Sequence, residues 1–214
     1  MATDLIEIDP DHPQPEAIER AAAVIRRGGV VAIPSDALYT LVADPLNLRA
    51  VGRVFEAKGR EIHRALPLLI SGSYMAEELA KELSARFYLL ARHFWPGPLT
   101  IIVKADPKLP LKVTANTGNV ALRVPAADVP LAIIHSAGLP ITATSANLHG
   151  ERECSTAMEV RDQLGDCLSI IVDGGPSPGV MPSTIVDLTT EGSWRLLRHG
   201  AIPEEQIIEL LGQE

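Results

Sequence analysis

Two basic residues at alternate positions, Lys58 and Arg60, have a spacing that suggests phosphate chemistry. If the chain is extended after Gly59, both side chains lie on one face and can bind adjacent phosphate oxygens. The cluster is diluted by Glu56 and Glu61, and its other basic members are Arg49, Arg53 and Arg64. The same residues are typical of a solvated patch at a helix C-terminus, where cations are favoured. The spacing alone leaves both interpretations open.

A polar pair, Ser145 and Asn147, follows an apolar run that ends at Thr144. The two side chains share a face if the extended backbone continues through them. The carboxyl ends of strands are the usual ligand edge of α/β sheets, and hydroxyl and amide groups suit phosphate or metal-bound water. A turn in which Ser and Asn bond to their own backbone is the alternative interpretation.

Isolated polar residues at or near predicted strand ends form a third group. Ser35 and Asp36 follow the first predicted strand, and Ser183 and Arg198 lie at later ones. Arg123 is a lone cation within an otherwise apolar strand, so it needs a partner. That partner is either a substrate carboxylate or an internal Asp or Glu. Taken singly, each of these residues favours a structural role.

Several familiar catalytic motifs are missing from the sequence. It contains no Walker A loop, no dinucleotide-binding glycine fingerprint and no His-Glu-x-x-His. Residues 175–179 match the serine-hydrolase elbow by letter, but Pro178 lacks the N–H that must bind the oxyanion. The six histidines show no close metal-ligand spacing, and Cys154 and Cys167 match neither a disulfide framework nor a zinc site. These classes of enzyme and metal site are therefore disfavoured.

The helices and strands that must position these residues alternate along the whole chain, which predicts one α/β domain. Helical periodicity and capping residues indicate helices over 15–27, 47–57, 74–93 with a break near Ser84, 129–137, 156–164 and 203–211. Apolar runs of strand length predict strands over 29–34, 66–70, 99–105, 120–124, 141–144, 169–172, 184–188 and 195–197. A loop rich in Gly, Pro and Ser spans 174–182.

Composition and charge restrict the class of protein further. The 214 residues are 46% hydrophobic and 21% charged, as in globular proteins that bury a sizeable core. With 19 basic and 27 acidic residues, the net charge of −8 argues against a nucleic-acid-binding surface over the whole molecule. RNA contact through a local basic patch remains compatible with it. Because residues 1–15 lack a signal-peptide pattern and no apolar run suits a bilayer helix, we expect a cytoplasmic protein without a membrane partner.

Eight segments, taken in order, resemble the YrdC/TsaC family of threonylcarbamoyl-AMP synthases. They are GGVVAIPSDALY (28–39), FEAKGR (55–60), LPLLI (66–70), FWPGPLT (94–100), ALRVP (121–125), ATSANL (143–148), PSTIVD (182–187) and LR (197–198). The resemblance covers about residues 17–200, and we expect 1–214 to form a single YrdC-like domain with no additional C-terminal domain. It implies an α/β fold in which a twisted, mixed parallel and antiparallel sheet is flanked by helices and forms a concave, positively lined cavity.

The resemblance also implies a reaction. Members combine L-threonine, bicarbonate and ATP into threonylcarbamoyl-AMP and pyrophosphate, the first step of the threonylcarbamoyladenosine (t6A) modification of tRNA. Mg²⁺ is expected to arrive with ATP rather than on protein side chains, and no organic prosthetic group is expected. The implied partners are the downstream tRNA threonylcarbamoyl transferase proteins.

Matching the family signatures residue by residue gives an expected site. The expected catalytic residues are Lys58 and Arg60. The expected ATP-binding residues are Lys58, Arg60, Arg64, Ser145, Asn147 and Arg198. The residues expected to bind threonine or bicarbonate are Ser35, Arg123 and Ser183. The positively charged groups would stabilise charge on the phosphates and on the departing pyrophosphate.

The sequence departs from the family pattern at Ser35, Thr40, Glu61, His149 and His199. Thr40 stands where Gly is usual, and Glu61 introduces a carboxylate that can compete with phosphate. Two other functions therefore stay open. One is an RNA-binding or ribosome-maturation protein that uses the basic patch, and the other is a paralogue that transfers a different carbamoyl or acyl group.

Overall fold

The structure is a computed structural model that describes residues 3–59, 64–179 and 181–212. The strands are β1 (Asp4–Glu7), β2 (Val31–Ile33), β3 (Thr40–Val42), β4 (Leu68–Leu69), β5 (Leu99–Lys104), β6 (Asn119–Arg123), β7 (Ile141–Thr142), β8 (Thr144–Ser145), β9 (Ile170–Asp173), β10 (Thr184–Asp187) and β11 (Arg195–Arg198). The α-helices are α1 (Pro15–Arg26), α2 (Leu48–Lys58), α3 (Ser73–Leu79), α4 (Ala85–Phe94), α5 (Leu111–Thr114), α6 (Asp128–Ala137), α7 (Ala157–Leu164) and α8 (Glu204–Leu211). Two residues named above, Arg60 and Glu61, lie outside the described ranges.

The strands form two mixed sheets. In the five-stranded sheet, ordered β1-β9-β2-β3-β8, β9 lies parallel to both neighbours and β3 lies antiparallel to both of its own. In the six-stranded sheet, ordered β11-β10-β5-β6-β4-β7, the β10–β5 and β6–β4 pairs are parallel and the others are antiparallel. The expected class of mixed sheet with helices is confirmed, and its strands are divided between two sheets.

The strand predicted over 141–144 is divided between these sheets. β7 pairs with β4 in the six-stranded sheet, whereas β8 pairs with β3 in the five-stranded sheet. Ala143 stands between them, and its N–H donates to the carbonyl oxygen of Pro67 at 2.7 Å. Just before it, Thr142 exchanges 2.9 Å bonds with Ala43 through its N–H and its hydroxyl oxygen. The prediction of one continuous strand is corrected, because an apolar run does not show which partner each of its residues pairs with.

Helix α2 sets the position of Lys58. Its start is capped by Asn47, whose Oδ1 accepts from the N–H groups of Arg49 at 3.1 Å and Ala50 at 3.2 Å. Its end is set by Gly59, which has a φ of +61°, a left-handed conformation that glycine adopts without strain. The apolar face between these two ends is buried in the core. Lys58 is therefore held in place as the last residue of the helix.

Most predicted elements are present in the structure. The helix predicted over 15–27 is α1, whose buried apolar face packs close to α6. The break predicted near Ser84 separates α3 from α4, and the Ser84 hydroxyl caps α4 by accepting from the N–H of Phe87 at 3.4 Å. The patterns missed β1, β3 and α5, which are short. Within the described ranges, no helix is long and apolar enough to cross a membrane.

Candidate functional site

A cavity of about 470 Å³ lies between the two sheets. Its floor follows the pleat of the six-stranded sheet, because alternate residues of a strand point to the same face. Two such residues come from each of three chain segments, namely Pro67 and Leu69, Ala121 and Arg123, and Ser183 and Ile185. The other lining residues are Ser35, Ala37, Leu38, Tyr39, Thr40, Arg64, Ala65, Thr100, Ala143, Thr144, Ser145, Glu153, Pro182 and Arg198.

The structure brings most of the expected site residues to this one cavity. Those that line it are Ser35, Arg64, Arg123, Ser145, Ser183 and Arg198. Lys58 and Asn147 lie directly behind Ser145 and contact it. Arg60 falls outside the described residues, so its placement stays a prediction. The cavity therefore collects residues from six segments that are far apart in the sequence.

Arg123 reaches the cavity from β6, and its guanidinium forms hydrogen bonds with Asp36 and Gly97. Its guanidinium forms an ion pair with Asp36, and both side chains are 14% exposed. Its Nε donates to the carbonyl oxygen of Gly97 at 2.9 Å. Of the two partners that the sequence analysis considered for Arg123, a substrate carboxylate or an internal Asp or Glu, the structure shows the internal one. Because Asp36 lies in the loop between β2 and β3, this ion pair joins the two sheets across the cavity.

Arg198 reaches the cavity from β11 and is oriented by Ser183. Its Nε donates to the main-chain oxygen of Ser183, and its Nη2 donates to Oγ of the same residue, both at 2.9 Å. That Oγ also lies 2.8 Å from the hydroxyl oxygen of Thr100. Ser183 is 6% exposed and Thr100 is 4% exposed, so the two hydroxyls are shielded from solvent, whereas the Arg198 side chain is exposed. Two hydroxyls thereby fix a second guanidinium in the same cavity.

The two arginines differ in their electrostatic surroundings. Burial lowers the pKa of Arg123, Asp36 raises it, and the nearby charge of Arg198 lowers it again. Burial also lowers the pKa of Arg198, and Glu153 opposes that effect. A guanidinium nevertheless keeps its proton at neutral pH. The cavity therefore contains two partly desolvated cations, of which Arg123 is in direct contact with a carboxylate.

Lys58 is 3% exposed and its ammonium group points into the loop after β8. Its Nζ donates to the main-chain oxygens of Ser145 at 2.5 Å and Asn147 at 2.9 Å, and to Oδ1 of Asn147 at 3.0 Å. The Ser145 hydroxyl donates to the same Oδ1 at 2.7 Å. This burial excludes the solvated-patch interpretation for Lys58. In the structure the ammonium group fixes the shape of the Ser145–Asn147 turn that borders the cavity.

Among the described members of the basic patch, Lys58 is buried, whereas Arg49, Arg53 and Arg64 are exposed. Arg49 is exposed on α2. Arg53 uses its Nη1 to donate to the carbonyl oxygen of Gly28 at 2.8 Å. With Lys58 buried, the described part of the patch presents a smaller positive surface than the sequence suggested. This weakens the interpretation of the chain as an RNA-binding protein that acts through these residues.

Tyr39 anchors the glycine-rich loop beside the cavity. Its side chain is fully buried, and its hydroxyl donates to the carbonyl oxygen of Gly175 at 2.8 Å and accepts from the N–H of Gly174 at 3.2 Å. Burial raises the pKa of Tyr39 to about 12. A neutral phenol thus ties the first polar loop to the loop that begins after β9.

Sequence patterns did not assign four polar lining or contacting residues to the site. Asp36 was noted in its loop, but its contact with Arg123 depends on how the sheets pack. Thr100 belongs to a family-like segment and to a predicted strand, whereas Thr40 follows such a segment and was noted only as a departure from the family pattern. Glu153 had no sequence signal. It reaches the cavity on a loop that Asn147 helps to fix by donating from Nδ2 to the carbonyl oxygen of Glu151 at 2.8 Å.

Fold and site together define a two-sheet α/β domain with an arginine-lined cavity that suits small anionic ligands. A family model covering Sua5, YciO and YrdC, described as telomere recombination, matches residues 23–200. The chain belongs to this family, as the resemblance indicated.

Named relatives extend this comparison. The chain is 38% identical over 196 residues to a threonylcarbamoyl-AMP synthase of Pyrococcus abyssi, covering 92% of this chain and 57% of the relative. It is 37% identical over 207 residues to a threonylcarbamoyl-AMP synthase of Bacillus subtilis, covering 96% of this chain and 59% of the relative. The crystal structure of P. abyssi Sua5 complexed with L-threonine superposes with a TM-score of 0.92 at 36% identity, covering 98% of this chain and 61% of that one. The chain thus spans less than two thirds of the length of these relatives.

Proposed function

We propose that this chain is a threonylcarbamoyl-AMP synthase. In the proposed reaction the amine of L-threonine and bicarbonate give a carbamate and water. A carbamate oxygen then attacks the α-phosphorus of ATP, the bond to the bridging oxygen breaks, and pyrophosphate leaves. The names of the relatives support this activity, as does the L-threonine in the P. abyssi Sua5 structure.

The observation that carries the proposal is the unequal charge around Arg123 and Arg198. Arg123 and Asp36 together are neutral, which suits an amino acid whose carboxylate and ammonium groups also sum to zero. Arg198 and Arg64 line the same cavity, which suits the polyanionic phosphates of a nucleotide. One cavity can therefore accept a zwitterion and a polyphosphate side by side, as the proposed reaction requires.

Roles for the individual side chains follow from this placement. Ser35, Arg123 and Ser183 bind threonine or its carbamate, and Arg64, Ser145 and Arg198 bind the nucleotide. Lys58 and Asn147 act on the nucleotide through the turn that they fix. Arg60 remains the proposed stabiliser of charge on the phosphates, whereas the buried ammonium group of Lys58 is bonded within the turn. Such phosphoryl chemistry depends on positioning and charge neutralisation rather than on a covalent nucleophile.

We propose that Mg²⁺ arrives bound to ATP. Within the described ranges, no three His, Cys, Asp or Glu side chains converge as metal ligands would. Glu153 is the one carboxylate among the described residues that line the cavity. Mg²⁺ commonly keeps several waters and is bound by phosphates with one or two carboxylates, so Glu153 is the side chain that would contact it. When bound, the metal supplies neutralisation of phosphate charge.

The proposed product determines the proposed partners. Threonylcarbamoyl-AMP is a reactive mixed anhydride, so it must pass to a transferase that modifies tRNA. We place this reaction in the cytoplasm, where ATP and tRNA are present.

The test is product formation from ATP, MgCl₂, bicarbonate and L-threonine, followed by mass spectrometry of threonylcarbamoyl-AMP. The informative variant is Arg123→Ala, and Arg49→Ala, an exposed arginine outside the cavity, is the matched control. We expect wild type and R49A to form product only when threonine is present, and R123A to lose at least about a hundredfold in rate. Product formation with other amines but not threonine would favour the paralogue. Salt-sensitive RNA binding without any product would favour the RNA-binding protein.

A further inference from the structure

Asp36 contacts both sides of the proposed amino-acid subsite. One of its carboxylate oxygens accepts from Nη2 of Arg123 and from the main-chain N–H of Ala126, the latter at 3.1 Å. Its other oxygen accepts from the hydroxyl of Ser35 at 3.3 Å. Ser35 and Arg123 both line the cavity. We infer that Asp36 is a positioning residue that aligns Ser35 and Arg123 for the carboxylate of the amino-acid substrate, an inference that rests on the proposed function.

Counting the N–H groups of Arg123 shows what this alignment provides. A guanidinium has five N–H donors in a planar fork. Nε donates to the carbonyl oxygen of Gly97, and one N–H of Nη2 donates to Asp36. No described residue accepts from Nη1 or from the second N–H of Nη2, so within the described part of the chain three N–H groups remain for a ligand. A planar pair of donors matches the two oxygens of a carboxylate, so fixing the guanidinium plane improves that fit.

The surrounding charges give Asp36 a second effect on the subsite. Arg198 is close enough to Arg123 to disfavour its charged form, whereas Asp36 favours it. Without the carboxylate, the guanidinium of Arg123 keeps its bond to Gly97 but loses the contact that ties it through Asp36 to Ser35. The nucleotide side of the cavity, at Arg198, is oriented by Ser183 and does not depend on Asp36. Loss of the Asp36 carboxylate should therefore weaken binding of the amino acid more than binding of ATP.

The decisive variant is Asp36→Asn, which keeps the size of the side chain and removes its charge. Its matched control is Asp4→Asn, which removes the carboxylate of an exposed ion pair with Arg20 on the outside of the molecule. We expect D36N to raise the KM for L-threonine about tenfold to a hundredfold while the KM for ATP changes less than about threefold. We expect D4N to leave both constants unchanged. A conservative variant, Asp36→Glu, keeps the charge and should recover part of the lost threonine affinity.

Direct binding separates this inference from the proposed reaction. L-threonine is titrated calorimetrically into wild type, D36N, D36E and D4N, each checked for a cooperative unfolding transition. If wild type binds threonine but makes no product, the proposed function fails, while weaker threonine binding by D36N still supports the inference. Equal threonine affinity in wild type and D36N, or a parallel loss of ATP and threonine affinity, overturns it. Failure of wild type to bind threonine overturns it as well. If D36N does not fold, D36E decides the question by the same comparison.

Discussion

Nζ of Lys58 lies 2.9 Å from the main-chain oxygen of Asn147 and 3.0 Å from Oδ1 of the same residue. A cation at the end of α2 is thus bonded twice to one residue of the turn after β8. Since the Ser145 hydroxyl shares that Oδ1, the ammonium group stabilises the whole turn at the edge of the cavity. Lys58, from the basic pair in the sequence, therefore contacts Ser145 and Asn147, the polar pair.

Replacing Lys58 with methionine tests this role. K58M keeps the length of the side chain but removes the Nζ donor from the main-chain oxygens of Ser145 and Asn147, and Oδ1 of Asn147 keeps only the Ser145 hydroxyl. Removing one member of a buried charged network costs roughly 2–4 kcal/mol in the free energy of unfolding, and we expect product formation to fall at least about a hundredfold. Urea unfolding and the product assay measure the two effects. The exposed Lys81→Met is the control, and a K58M protein with normal stability and activity would refute the role.

Changing Arg198 to lysine tests the nucleotide side. Arg198 uses Nε and Nη2 together on Ser183, a geometry that an ammonium group cannot reproduce. We expect R198K to weaken ATP binding about tenfold and threonine binding much less, measured by calorimetric titration of each ligand. The exposed Arg161→Lys on α7 should bind ATP like wild type. If R198K lost threonine affinity and kept ATP affinity, Arg198 would belong to the amino-acid side.

Neutralising Glu153 tests the electrostatics of the cavity. Because its carboxylate lines the cavity and acts on Arg198, Glu153→Gln increases the local positive charge. We expect the Kd for ATP measured without divalent cation to fall about twofold to fivefold at low salt and to approach the wild-type value at high salt. Glu151→Gln, two residues earlier and outside the lining, is the control. The same titration with Mg²⁺ separates the two effects, since loss of a metal contact weakens ATP binding only when the metal is present.

Tyr39 predicts a dependence of stability on pH. Its pKa is raised to about 12 in the folded protein, whereas an unfolded tyrosine titrates near 10. The stability that this group contributes is therefore fully present below about pH 10 and is lost as pH rises toward 12. The full loss amounts to roughly 3 kcal/mol from this group.

The comparison of wild type with Tyr39→Phe isolates this contribution. Urea unfolding between pH 8 and 11 should show the stability of wild type falling more steeply than that of Y39F above about pH 10. Tyr74 and Tyr88 are present in both proteins and cancel in the difference. Identical slopes would show that Tyr39 titrates normally and that its hydroxyl is solvated. At neutral pH, Y39F should be the less stable protein, because the N–H of Gly174 loses its acceptor.

Local signals in the sequence predicted much of the fold. The Asn47 cap and the terminal Gly59 place α2 within a residue of its predicted bounds, and Ser84 marks the break between α3 and α4. These signals act within a few residues, so one sequence is enough to detect them. β3 and β8 were not recognised as separate strands, because two or three residues carry too little pattern and are defined as a strand only by pairing with a neighbour.

The site was less accessible from the sequence because its key contacts join distant segments. Arg123 required a partner, but the sequence did not specify Asp36, which lies in the loop between β2 and β3 of the other sheet. Glu153 comes to the cavity through a loop whose path depends on Asn147. The resemblance to a family identified residues that share the cavity, and the structure added how each one is oriented.

The change of sheet at Ala143 has a mechanical consequence. Ile141 and Thr142 pair in the six-stranded sheet, and Thr144 and Ser145 pair in the five-stranded sheet. Ala143 joins the two strands and lines the cavity. A rotation of one sheet relative to the other therefore changes backbone torsion angles where a ligand would touch the wall. Because one residue separates the two strands, the backbone at Ala143 couples the relative orientation of the two sheets to the shape of the cavity wall.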